Sequence, residues 1–207
     1  PLPRFWYFPR GEKAVVLMTA DDHSSSNVPG RFDQYKALSP MGCSVDDWEC
    51  VRSSIYIYPG SVLSEAQANA YHADGFEIGV HVDTSCNNYT LAGLENYYTA
   101  QLVQFAARFP ALPVQDSERT HCIAWSGWDY QPTVKAQQGV RLDTNYYYWP
   151  EAWINNQPGL FTGSGMPMRF ASEDGTMFDV YQAVTQMTDE SGQTFPYTID
   201  TLISRAL

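Results

Sequence analysis

Strand-like and helix-like stretches alternate along most of this chain, and that alternation limits the folds that it can adopt. Short apolar runs, such as residues 54–58 and 76–81, are followed by stretches with helical spacing. Such alternation is typical of a parallel sheet whose strands are joined by helical crossovers. The sequence therefore predicts an α/β fold. No internal repeat, low-complexity tract or linker interrupts it, so residues 1–207 are expected to form a single domain.

The individual elements follow from apolar runs, capping residues and turn residues. The first run, residues 14–19, begins with five consecutive apolar residues, which is typical of a strand buried on both faces. Ser64 and Gln67 have the spacing of a capping box, which predicts a helix from there to residues 74–75. The other predicted strands are 54–58, 76–81, 120–125, 140–142, 168–170 and 177–182, and the other predicted helices are 32–37, 94–109, the segment ending at Gly139, and 198–207.

Charged and imidazole side chains collect after the first of these strands, at Asp21, Asp22 and His23. Ligands and chemistry gather at the carboxyl ends of parallel strands. Two adjacent carboxylates repel, so a cation, an arginine or a proton has to compensate them. This pattern predicts a metal site with a neighbouring base. The structural alternative is a helix N-cap, where carboxylates accept hydrogen bonds from free backbone N–H groups.

The chain contains four histidines, and three of them lie near predicted strand ends. His81 closes the strand 76–81, so it lies at the same edge as Asp21 if the strands are parallel. His121 follows Arg119 in the predicted strand 120–125. The fourth, His72, falls within the capped helix and receives no role.

These residues carry a resemblance to a known family. Thr19 to Asp22, then the segment 75–81 (GFEIGVH), then Arg119 resemble, in this order, motifs of the polysaccharide deacetylases. This group is also known as the NodB-homology fold or carbohydrate esterase family four. The resemblance covers about residues 12–145. It implies a distorted (β/α) barrel and a metal-dependent hydrolase that removes acyl groups, typically acetyl, from a polysaccharide or oligosaccharide.

The resemblance also implies roles for individual residues. Asp21 would be the general base, and Arg119 would orient it. Asp22 and His81 would bind a divalent metal, zinc in the first place, with cobalt or nickel as alternatives. Asp143 resembles the acid of the family's fourth motif.

The chain departs from the family pattern at two positions. The second metal-binding histidine of the family is Ser85 here, so the third ligand would be His23 or, as an alternative, His121. His121 could instead serve as the catalytic acid, because no histidine follows it in the position of the family's last motif. The absence of this last histidine implies that the chain is truncated, that another histidine replaces it, or that the protein is inactive. A barrel that ends on a helix would also lack a C-terminal strand.

The alternatives belong to other functional classes. A degenerate deacetylase barrel could be a glycan-binding module without catalysis, an interpretation that Ser85 and the missing histidine favour. A metal hydrolase acting on small amides or cyclic ureas would share the fold type. Its cleft should be closed, whereas an enzyme acting on a polysaccharide needs an open groove.

Charge and cysteine content limit the partners and the compartment. The net charge is −11 with only 12 Lys and Arg, which argues against nucleic acid or an anionic membrane as a partner. No stretch reaches the roughly 20 apolar residues of a transmembrane helix. The chain begins with Pro1, so a processed protein or a fragment is expected. Its four cysteines predict two disulfides rather than a zinc cluster, and hence an extracellular or periplasmic location.

Overall fold

The computed structural model describes residues 8–12, 15–22, 27–122, 125–145 and 166–183. These ranges contain four helices and seven strands, besides a 3₁₀ turn at Pro9–Gly11. The helices are α1 (Val28–Leu38), α2 (Glu65–Ala73), α3 (Leu91–Arg108) and α4 (Tyr130–Gln137). The strands are β1 (Thr19–Asp22), β2 (Ser54–Ile57), β3 (Glu77–Val82), β4 (Ser117–Thr120), β5 (Leu142–Asp143), β6 (Met168–Ala171) and β7 (Met177–Gln182).

All seven strands belong to one sheet with the order β1-β2-β3-β4-β5-β7-β6. The first five are neighbours in chain order and pair in parallel, β7 is parallel to β5, and β6 is antiparallel to β7. The predicted α/β class with a mostly parallel sheet is therefore confirmed. In the described ranges β1 and β6 are the two end strands and do not pair, so the sheet formed by these strands does not close into a barrel.

The apolar core lies between one face of the sheet and the helices. Alternate residues of β2 and β3 point into it and are buried against side chains of α1 and α3. The intervening residues of β1, β3 and β4, among them Asp21, His81 and Arg119, point to the opposite face, which carries the polar groups described below. The core residues of the two strands are Ile55, Ile57, Ile78, Val80 and Val82, and those of the helices include Phe32, Leu94, Tyr98 and Phe105.

The helix predictions agree with the structure where local signals are strong. Ser64 and Gln67 form the predicted capping box, in which each side chain bonds the other's backbone N–H. Helix α2 ends at Ala73, and Gly75 adopts a φ of 91° beyond it. Helix α3 has the predicted apolar spacing, and α4 ends before Gly139 (φ 80°). Helix α1 is longer than predicted because Asn27 caps it and Pro29 fits its first turn.

Both predicted disulfides are confirmed. Cys43–Cys50 closes a short loop between α1 and β2. Cys86–Cys122 joins the segment after β3 to the segment after β4, two neighbouring parallel strands. The second disulfide therefore links two of the loops at the carboxyl edge of the sheet.

The predicted bounds of the first strand are wrong. The ladder begins at Thr19 rather than at residue 14, and Val16 and Leu17 are 76% and 68% exposed instead of buried on both faces. The reason is that β1 is an end strand, which among the described strands pairs with β2 alone. Thr19 pairs with Ser54, the first residue of β2, so the apolar run extends past the end of its partner.

The fourth strand is also displaced from its prediction. It spans Ser117–Thr120 and not residues 120–125. Its four residues are polar and are buried by distant polar partners rather than by apolar contacts, so no apolar run marks the strand in the sequence. The fifth strand, Leu142–Asp143, begins two residues later than predicted. Strands β6 and β7 agree with prediction to within one residue. The predicted ligand His23 and the predicted helix 198–207 lie outside the described residues.

Candidate functional site

Four parallel strands bring side chains of the candidate site to one edge of the sheet. Asp21 lies in β1, His81 in β3 and Arg119 in β4, and the register pairs His81 with Arg119. Tyr58 and His121 directly follow the ends of β2 and β4. The structure thus brings together four of the predicted residues, Asp21, His81, Arg119 and His121.

His81 is fully buried, and its ring has a defined hydrogen-bonding state. Its Nδ1 lies 2.7 Å from the backbone carbonyl oxygen of Arg119. A carbonyl oxygen only accepts, so Nδ1 carries a hydrogen, and Nε2 is the ring nitrogen that faces the site, with a lone pair there when the ring is neutral. That Nε2 lies 3.4 Å from Oδ2 of Asp21 and 3.2 Å from Nδ1 of His121. A carboxylate and an imidazole lone pair at this separation repel unless a proton or another cation lies between them.

Arg119 forms an ion pair with the Asp21 carboxylate. Its Nη1 lies 3.7 Å from Oδ1 of Asp21. The guanidinium is itself held by two acceptors, since Nη2 donates to Oγ1 of Thr19 at 2.9 Å and Nε donates to the carbonyl of Thr144 at 3.2 Å. The Arg119 side chain is only 10% exposed, whereas the Asp21 side chain is 38% exposed. Asp21 can therefore reach solvent while a buried cation orients it.

Tyr58 completes the site, and the sequence did not identify it. Its ring stacks on His81 at a centroid distance of 5.4 Å and meets His121 edge-on at 5.6 Å. Burial, together with the negative charges of Asp83 and Asp21, raises the pKa of Tyr58 to about 12. The hydroxyl therefore remains protonated at neutral pH. The available signal was its position, directly after a strand, as for His121.

Asp22 lies on the other side of β1 from Asp21. Successive side chains of a strand point to opposite faces, and Asp22 is 1% exposed where Asp21 is partly open. Its Cα partner in β2 is Ile57, whose side chain lies in the helix-covered core. The structure thus separates Asp22, by strand alternation, from the face that carries His81.

Asp143 lies in a second cluster of charges, which is fully buried. Nζ of Lys135 is 2.7 Å from Oδ2 of Asp143 and 2.8 Å from Oε2 of Glu118, and Asn145 N–H donates to Oδ1 of Asp143. Burial holds the pKa of Asp143 above its ordinary value despite Lys135. Burial alone would lower the pKa of Lys135, but the carboxylates of Asp143 and Glu118 together hold it above its ordinary value. Burial therefore dominates at Asp143, whereas at Lys135 the two carboxylates together outweigh burial.

The buried cluster braces the strands behind the site. Glu118 precedes Arg119 in β4, and its carboxylate also accepts hydrogen bonds from Tyr98 and Thr120. Thr120 N–H donates to the side chain of Asn145. Sequence reasoning did not identify Lys135 and Glu118, because no spacing along the chain connects them.

One group of ligand-type atoms in the described ranges meets the distance expected for a metal site. Cys86, His121 and Cys122 each offer one such atom, all within 4.8 Å of one another. Two thiolates and an imidazole could hold a metal ion such as zinc. The two sulfurs are joined in a disulfide here, however, so this set becomes available only after reduction.

Comparison of the chain with protein-family models, with curated proteins and with solved structures finds no match. None of the described helices combines the length and the apolar character that crossing a bilayer requires. The function is therefore inferred from the geometry of the site.

Proposed function

We propose that this protein is a metal-dependent hydrolase that removes acyl groups, acetyl in the first place, from a polysaccharide or related glycan. The proposed fold is a distorted (β/α) barrel of the polysaccharide deacetylase type. The observation that carries the proposal is the meeting of Asp21 with Nε2 of His81 at 3.4 Å, beside the guanidinium of Arg119. These residues lie up to 98 positions apart in the chain (119 − 21).

The surroundings of His81 support its assignment as a metal ligand. Metal-binding histidines almost always donate their second ring N–H to a carbonyl or carboxylate, as Nδ1 of His81 does. His121 has its Nδ1 3.2 Å from that ligand nitrogen. This is near the roughly 3.3 Å between two nitrogen ligands of a tetrahedral zinc. We assign His81 and His121 as nitrogen ligands, with His23 as the remaining candidate donor, because Asp22 lies on the opposite face of β1.

Zinc fits this donor set, and cobalt or nickel would bind the same nitrogens. A bound divalent cation would polarise the acyl carbonyl and acidify a water molecule. Asp21, partly exposed and held by Arg119, accepts the proton of that water. The protonated Asp21 can then return the proton to the leaving nitrogen or oxygen of the sugar. This route needs no histidine after His121. In the family pattern a later histidine would be the acid.

The second candidate is a glycan-binding module without catalysis. Two departures from the family motifs favour it, Ser85 in place of a histidine and the absence of a histidine after His121. Such a module would retain exposed aromatic surface, for which Trp128 at 61% exposure is an example. Both candidates are compatible with an extracellular or periplasmic location, which the two disulfides favour.

Acetate release distinguishes the two candidates. The wild-type protein, supplied with zinc, cobalt or nickel in turn, is incubated with acetylated glucosamine and xylose polymers. We expect release by the wild type and a loss of about 10²-fold or more in Asp21→Asn. Asp33→Asn is the matched control, because Asp33 is an exposed carboxylate of α1 that bonds Tyr71 away from the site. Full activity in Asp21→Asn, or no release by the wild type with any metal, would refute the proposal.

A further inference from the structure

A groove of about 250 Å³ opens beside Tyr58 at the carboxyl edge of the sheet. It lies between the turn that follows β2, the segment that follows β3, and helix α3. Its main lining side chains are Tyr58, Asp83, Tyr97, Gln101 and Gln104.

The ring of Tyr58 separates this groove from the two histidines. One face of the ring packs on His81 and its edge meets His121, so a ligand in the groove lies one ring away from the proposed metal ligands. Tyr58 lines the groove, and its phenolic hydroxyl can donate a hydrogen bond to a bound ligand. The groove is therefore adjacent to the site rather than remote from it.

Helix α3 contributes a polar stripe to the groove. Tyr97, Gln101 and Gln104 have the i, i+4, i+7 spacing of one helix face, whereas Leu94 and Phe105 of the same helix are buried in the core. The stripe presents an aromatic ring and two amides, while the core-facing side of α3 is apolar.

The wall of the groove is fixed in place. Oε1 of Gln101 accepts the backbone N–H of Asp83 at 2.8 Å, and Nε2 of Gln101 donates to the carbonyl of Asp83 at 2.8 Å. The Asp83 carboxylate accepts a hydrogen bond from the Ser85 N–H at 2.6 Å. These bonds tie the segment after β3 to α3, so a ligand would meet a preformed surface. Preformed surfaces bind without the cost of ordering a loop.

We propose that this groove binds one neutral or amino-substituted pyranose ring, adjacent to the ring that carries the acyl group. The inference rests on the proposed function and extends it to the choice of sugar. Aromatic faces and amide groups together suit the apolar faces and hydroxyls of a sugar ring. The volume lies near the lower limit of small-ligand sites, roughly 300 Å³, and so suits a single ring. The carboxylates of Asp83 and Asp21 disfavour anionic sugars such as uronates.

Two variants outside the proposed catalytic machinery test the groove, Tyr97→Ala and Gln104→Ala. With acetylated oligosaccharides we expect KM to rise about fivefold to tenfold and kcat to change little, because a ground-state contact is lost. With 4-nitrophenyl acetate, which has no sugar, kcat/KM should stay unchanged. Gln34→Ala, an exposed glutamine of α1, is the matched control. Unchanged KM for the oligosaccharides in both groove variants would overturn the inference.

A binding measurement separates this inference from the proposed function. Calorimetry with N-acetylglucosamine tetramer, xylotetraose and a galacturonate tetramer needs no turnover. If the wild type binds a neutral tetramer and Tyr97→Ala weakens that binding, the groove is supported even where no acetate is released. Failure of all three to bind the wild type, or galacturonate binding as tight as that of the neutral tetramers, would refute it. Hydrolysis with unaltered affinity in the variants would refute the groove alone.

Discussion

Replacing Lys135 by methionine should lower the free energy of unfolding far more than the same replacement of a surface lysine. In the folded protein the ammonium group lies 2.7 and 2.8 Å from carboxylate oxygens of Asp143 and Glu118, and all three side chains are fully buried. Methionine fills nearly the same volume but carries no charge. The substitution therefore leaves two carboxylates buried without the cation that compensates them.

The size of the effect follows from this burial. Removing one partner of a buried ion pair costs roughly 3–5 kcal/mol, because the charge that remains cannot reach water. The matched control is Lys36→Met, which breaks a pair with Asp74 whose side chains are 42% and 41% exposed. Exposed pairs contribute at most about 1 kcal/mol. The difference between the two variants thus isolates burial from the loss of a lysine.

Urea unfolding of the disulfide-intact protein, followed by tryptophan fluorescence, measures both free energies of unfolding. We expect Lys135→Met to lose about 3–5 kcal/mol and Lys36→Met about 1 kcal/mol or less. Equal losses, or a loss below about 1 kcal/mol in Lys135→Met, would refute the view that the buried cluster is compensated by one ammonium group.

The pH dependence of the stability lost in Lys135→Met is an independent test of the same cluster. Burial holds the pKa of Asp143 above its value in the unfolded chain, so lowering the pH protonates it more readily in the folded state. The deficit of Lys135→Met should therefore shrink from about pH 7 to about pH 5. In the wild type the pKa of Lys135 is raised, so its contribution persists at neutral pH and disappears only in strongly alkaline solution. A deficit that grows on acidification would contradict this reasoning.

Two further predictions concern backbone packing and cross-links. Gly79→Ala would place a Cβ 3.0 Å from a ring carbon of a buried β2 tyrosine and should destabilise by about 1–3 kcal/mol, whereas Gly60→Ala, with open space around it, should be nearly neutral. Similar unfolding midpoints for the two would contradict the packing argument. Deleting the Cys86–Cys122 disulfide, which spans 36 residues, should cost about 4 kcal/mol, against about 2.5 kcal/mol for the seven-residue cross-link between α1 and β2. Thermal unfolding of the two double-alanine variants measures this order, and the reverse order would refute it.

Sequence signals predicted the elements whose determinants are local. The capping box of Ser64 and Gln67 sets the start of α2, and both residues lie within one turn of it. The apolar spacing of α3 is likewise contained in the helix. The first strand was misplaced because its bounds depend on where β2 begins, which no local pattern in residues 14–19 records.

Strand β4 is a clearer example of a structure that the local sequence does not predict. Its sequence, Ser-Glu-Arg-Thr, has no apolar residue, yet all four residues are buried. Glu118 is compensated by Lys135 and Arg119 by Asp21 and by acceptors on β1 and in the segment after β5. Burial of charge requires such partners, and partners from distant segments cannot be recognised before the strands are ordered.

The candidate site was predicted in part, for a similar reason. Motif order placed Asp21, His81 and Arg119 at one edge, and parallel strands bring them together there. The face of each strand was not considered, so Asp22 was grouped with His81 although alternation turns the two apart. Asp143 was taken as a site acid, but its contacts are with the buried ammonium group of Lys135.

The central claim is that His81 Nε2 binds a divalent metal, and metal content tests it most directly. Wild-type protein and His81→Ala are loaded with zinc, dialysed against chelator-free buffer and analysed by plasma mass spectrometry, with circular dichroism to verify folding. His72→Ala, an exposed histidine of α2, is the control. We expect about one equivalent of zinc in the wild type and the control, and none in folded His81→Ala. Zinc retained by His81→Ala, or no metal in the wild type after zinc, cobalt and nickel, would contradict the account.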